Sequence, residues 1–178
     1  MNIYPPVTMK ALNETALGEL ILAPVDRRNH LAIVASGEAE TGGVRDRQIL
    51  VLNEPERIYG KDSLGIITRL TLTPRPSNIS VLSFGTDWVL APIFVTFADS
   101  KDSQGKLHEY QFGISARGTY LPFIGPARAF GLPKTHYIRL PDMRRYDVID
   151  PDENLVWFPN FRIYTSEEAM ANNQPLWG

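Results

Sequence analysis

The side chains best suited to acid–base chemistry in this chain are its three histidines, His30, His108 and His136, whose unperturbed charge change falls near neutral pH. His108 is the best single general-base candidate: it shares a strand face with Tyr110, Phe112 and Ile114. That same setting is more often that of a hydrogen-bonded core histidine. His136 takes the parity of Ile138 and Leu140, while Tyr137 and Arg139 take the other. With His108 or His136 as acid and base, Arg128 or Arg139 would hold an anionic group, which describes a small enzyme acting on a sugar or carboxylate. No histidine pair stands at i, i+4 or H-x-H spacing, so a histidine metal centre would need distant segments to converge.

Asp150, Asp152 and Asn154 open like a calcium loop, in which alternating oxygens wrap a hard cation. The pattern then fails. Leu155 stands where a glycine is needed and Phe161 where a bidentate glutamate belongs, so a proline-containing turn accounts for these residues better. The chain has no G-x-S-x-G, H-E-x-x-H, phosphate-loop or dinucleotide glycine pattern. We therefore assign no catalytic residue, no metal ligand and no cofactor from sequence.

Aromatic rings beside a fixed cation are the remaining chemistry. The segment 118–133 carries Tyr120, Phe123, Arg128 and Phe130, and the corner from Trp157 to Phe161 adds further rings. Such faces hold a sugar, a planar ring or a partner's side chain, because stacking and cation–π contacts survive partial exposure. The expected ligand-binding residues are Arg128, Tyr120, Phe130, Trp157, His108 and Arg139. Segment 118–133 is too rich in Gly and Pro for regular structure and too apolar for an ordinary solvent loop, so it also suits a cover over an open sheet end.

Strands must position these groups. From Ile66 to Thr73 the residues alternate with period two, and runs at 79–84, 88–97 and 107–115 follow between turns, which predicts an antiparallel meander around a buried strand. Residues 19–25 and 31–36 flank Asp26-Arg27-Arg28-Asn29, a first hairpin. Gly37 to Arg47 reads as an exposed, mobile loop before an apolar strand at 48–52. Strands are expected at 135–140 and 161–164, with a hairpin at 147–158 turning at Pro151 to Asn154. Thr165 and Glu168 have capping-box spacing, predicting a short helix over 165–173, and a second is possible near 11–16. Pro5-Pro6 makes residues 1–8 an extended arm and a candidate oligomer contact. Leu176 and Trp177 are expected to dock on the body or on a second subunit.

At 178 residues, the chain suits one domain. Hydrophobic residues at 43% supply a core, while a formal charge of −2 gives no bias towards nucleic acid or an anionic membrane. The absence of cysteine excludes disulfides and thiolate sites. The start lacks the pattern of a secretory signal and no 18-residue apolar stretch occurs, so a cytoplasmic protein is expected. The reading is a mostly β, single-domain antiparallel β-sandwich or partly closed β-barrel with a short C-terminal helix. Its expected role is a non-catalytic ligand-binding or assembly module, homo-oligomeric, taking a small polar ligand or a protein partner.

Overall fold

The computed structural model describes residues 7–41, 44–59, 66–93, 112–124, 135–158 and 160–177. Within them the chain runs β1 (Thr8–Ala11), a 3-10 turn (Leu12–Glu14), β2 (Leu20–Val25), β3 (Arg28–Thr41), β4 (Val44–Tyr59), β5 (Ile66–Pro76) and β6 (Ser80–Gly85). It continues through β7 (Val89–Pro92), β8 (Phe112–Ser115), β9 (Gly118–Ile124), β10 (Thr135–Leu140), β11 (Arg144–Tyr146), β12 (Val156–Phe158), β13 (Phe161–Tyr164) and helix α1 (Glu167–Ala171). The fold is mostly β, as the alternation predicts.

The first hairpin forms where expected. Asp26 and Arg27 both take left-handed backbone conformations, φ 47° and 66°, the geometry of a two-residue turn whose twist matches the strands it joins. Leu20, Ile33, Leu50 and Leu72 then stand in register across β2, β3, β4 and β5 and share one core. Ile21, Ala32 and Val51, one residue over, enter a second core with Leu12 and Val81. Period-two alternation thus feeds both faces of the central strands, which explains why their sequences are apolar at both parities.

Pairing, by contrast, departs from a meander. The large sheet runs β1-β6-β2-β3-β4-β5-β9-β10-β11, with β8 on β9 and β12 on β8, while β7 and β13 form a separate two-stranded sheet among the described residues. Strand β6 thus leaves β5 for β1 and β2, because its Val81 completes the second core. The sheet bends over itself without closing into a barrel: Phe112, Leu121, Phe123, Ile138, Phe161 and Ile163 pack with the inner face of β2 to β5.

Three further expectations are corrected. Residues 37–41 and 44–47 are strand rather than loop, and the backbone register sets residue 38 opposite 47 and residue 40 opposite 45. Residues 118–124, expected to be irregular, form β9; Pro122 falls where β9 passes from β8 to β5, a place where a lost donor interrupts little ladder. The 147–158 hairpin does not form, because Val156 to Phe158 pair with β8 instead.

The C-terminal helix is capped one residue later than its spacing implied: Ser166 Oγ accepts from Ala169 N at 3.1 Å, and α1 ends at Ala171. Trp177 docks on the body, bridging Ile163 with its ring 5.4 Å from Phe161. Pro92 closes β7 in the two-stranded sheet, an edge position that tolerates its missing N–H. Of the expected arm, residues 1–6 lie outside the described residues, and β1 begins at Thr8.

Two buried charges tie the outer layer together. Arg47 Nη1 donates to the carbonyls of Leu12 and Thr15 and to Thr15 Oγ1, closing the C-terminal end of the 3-10 turn. Glu19 accepts from Ala16 N at 2.6 Å and from Ser83, and pairs with Lys10 of β1.

Candidate functional site

Directly opposed residues on paired strands project to the same face of a sheet. The registers of β12, β8, β9, β10 and β11 therefore align Trp157, Gly113, Tyr120, Arg139 and Arg144 in one cross-strand row. Three of the six expected ligand-binding residues, Tyr120, Trp157 and Arg139, fall in this row. The other three, Arg128, Phe130 and His108, lie outside the described residues.

Gly113 shapes the row. A Cβ there would stand 3.2 Å from two carbons of the Trp157 ring and 3.1 Å from Leu155, so the missing side chain lets the indole lie across β8. Tyr120 is 1% exposed, and its hydroxyl donates to Glu153 Oε2 at 2.8 Å. It is an anchor under the site, not a surface for a ligand.

Glu153 belongs to the connection between β11 and β12. The turn there has Pro151 at its second position; Glu153 N donates to Asp150 O and Asp152 N to Asp150 Oδ1, each at 3.0 Å. The calcium-like residues are thus turn chemistry. The Glu153 carboxylate, 5% exposed, also accepts from Ser115 Oγ and has Arg117 Nη1 at 3.7 Å. The Ser115 hydrogen bond is the largest influence holding its carboxyl below the usual range, followed by burial, which opposes it, and then Tyr120. Burial first, and then the bond to Glu153, pushes the Tyr120 phenol up.

Between this turn and the sheet lies an open groove of about 660 Å³. Tyr137 and Trp157 line it, with ring centroids 6.4 Å apart and planes tilted by 57°. Asp147, Asp150 and Glu153 supply its acidic groups, and Val148 and Val156 at its rim are largely exposed. A smaller cavity of about 390 Å³, with Leu17, Trp88, Leu90 and Pro141 among its lining, contains no titratable side chain.

Arg139 lies outside the groove lining. It pairs with Asp142, which holds the guanidinium protonated still more firmly, and it stacks 5.3 Å over the Tyr146 ring. Arg144 covers the same ring at 5.6 Å. His136 Nδ1 meets Asp147 Oδ1 at 2.8 Å, and its ring sits 5.6 Å from that of Phe123. Among the described residues, no three acidic or histidine side chains are grouped to hold a metal ion. No helix of the described residues is long and apolar enough to cross a membrane.

Gly113, Ser115, Tyr137 and Glu153 escaped the expected site. Tyr137 was legible as the face-mate of Arg139. Glu153 was legible only as a turn residue, because its partners stand 33 and 38 residues away. No family model, curated protein or solved structure matches the chain.

Proposed function

We propose that this protein is a non-catalytic binding module that takes a small polar ligand in the groove between β10, β12 and the 147–155 connection. One observation carries the reading: two tilted rings, Tyr137 and Trp157, line an open groove whose acidic turn is fastened to the sheet by the buried Tyr120–Glu153 bond. Rings braced by packing, as Trp157 is over Gly113, lose little freedom on binding, and the polar rim orients what stacks on them. Of the expected surface, this reading keeps the Trp157 corner; within 118–124, Tyr120, Leu121, Phe123 and Ile124 are buried in β9, and 125–133 lie outside the described residues.

The alternative, a small enzyme using histidine acid–base chemistry on a sugar or carboxylate, has one specific observation behind it. Asp147 orients His136 and also lines the groove, as a carboxylate does behind a catalytic imidazole. His136 itself does not line the groove, which places this reading second.

A thermal-shift and heteronuclear NMR screen against sugars, amines, nucleotides and organic acids tests the proposal, run on wild type and on Trp157→Ala. A ligand that raises the melting temperature of wild type, moves the Trp157 indole resonance and fails on the variant supports it. Turnover of any of these compounds, lost in His136→Gln, would replace it with the enzyme reading.

A further inference from the structure

The chemical class of the ligand follows from the sign of charge around the two rings, and rests on the groove being the binding site as proposed above. Asp147, Asp150 and Glu153 line the groove, and its lining includes no lysine, arginine or histidine. Among the described residues, Arg117 stands 3.7 Å from both Asp150 and Glu153 and is 62% exposed, Arg139 reaches Glu153 electrostatically while paired with Asp142, and His136 meets Asp147. With Asp142, four carboxylates outweigh the two guanidinium groups. An anionic ligand would meet net repulsion here, and a neutral one would gain nothing from the field.

The carboxylates do not converge on a point, so a compact inorganic ion does not match them. An extended cation does. The negative faces of Tyr137 and Trp157 attract positive charge spread over carbon or a guanidinium plane, while Asp150, 48% exposed, complements it at the rim. Exposed Val148 and Val156 offer apolar contact to the substituents of such a cation.

We propose that the groove binds an organic cation, an alkylated ammonium or a guanidinium group, stacked at the Tyr137–Trp157 corner and charge-matched by Asp150 and Asp147.

Isothermal titration with (2-hydroxyethyl)trimethylammonium, its uncharged isostere 3,3-dimethylbutan-1-ol and a methyl glucoside tests this, at low and at high salt. The cation is expected to bind wild type, with the isostere about tenfold weaker or worse, a difference of about 1.4 kcal/mol. Asp150→Asn, which keeps the Oδ1 that caps the turn, should weaken the cation about threefold, and salt should do the same. Trp157→Ala should abolish binding; Tyr137→Leu gives the same readout if that variant does not fold. Equal or tighter binding of the isostere or the glucoside would overturn the cationic class and leave the groove as a ligand site. No heat and no movement of the Trp157 indole resonance with any probe would overturn both.

Discussion

Tyr120 and Glu153, 33 residues apart in the chain, meet through a 2.8 Å hydrogen bond that fastens the β11–β12 connection onto the face of β9. Ser115 at the end of β8 donates to the same carboxylate, so two neighbouring strands hold one turn. The groove exists because this turn is fixed above the sheet: its acidic wall is the connection and its aromatic wall is strand.

The anchor makes the turn sensitive to acid. Glu153 has a folded-state pKa below its ordinary value of about 4.3, so the folded protein binds fewer protons than the unfolded chain in that window. Its contribution is complete above about 4.3 and is lost as pH falls through the depressed value. In Glu153→Gln this part of the acid limb should flatten, and amide exchange over residues 147–155 should quicken at pH 7. Tyr120→Phe, which leaves the Ser115 bond, should show a smaller change. Unaltered protection in Glu153→Gln would show that other contacts hold the turn.

Gly113 should be sensitive in proportion to added volume. Alanine brings a Cβ to 3.1–3.2 Å from Leu155 and the Trp157 ring, and valine leaves the ring no room. Overpacking of this kind costs about 1–3 kcal/mol. Gly113→Val should therefore shift the Trp157 indole resonance and lower ligand affinity more than Gly113→Ala does, with melting temperatures falling in the same order.

Arg47 holds the 3-10 turn against β4. Truncation to alanine leaves the Leu12 and Thr15 carbonyls without this donor in a buried setting, expected to cost about 2 kcal/mol. Urea unfolding should show a lower midpoint with an unchanged slope. A slope change would instead mean that the turn detaches while the sheet stays folded.

Gly118 opens β9 at φ 140°, and a Cβ there would lie 2.3 Å from the carbonyl oxygen of Leu140. Backbone cannot yield as a side-chain tip can, so Gly118→Ala should lose about 3 kcal/mol. Loss of the β8–β9 pairing, read by amide exchange at Ser115 and Tyr120, should accompany it.

Much of the fold was legible. Alternation at 66–73, the hairpin turn within Asp26 to Asn29, the strands at 135–140 and 161–164, and a short helix after 165, though capped at Ser166 rather than Thr165, are all short-range signals. The extension of β3 and β4 through 37–47 was not, because a polar segment without alternation carries no strand signal of its own and becomes strand here through the ladder it makes with its neighbour. Proline and glycine misled the reading of 118–124: Pro122 is tolerated because it falls between the β8 and β5 pairings of β9, which composition does not reveal.

For the site, the chain by itself determined which rings and charges were available and, through period-two parity, that Tyr137 and Arg139 share a face. Tertiary structure decided everything that depends on distance. It buried Tyr120 as an anchor, turned Glu153 from a turn residue into a held acceptor, and set Trp157 over Gly113 beside Tyr137. The physical reason is one of range. Alternation and capping are set by neighbours within a few residues, whereas a buried carboxylate or a groove wall depends on hydrogen bonds and packing between strands far apart in the chain.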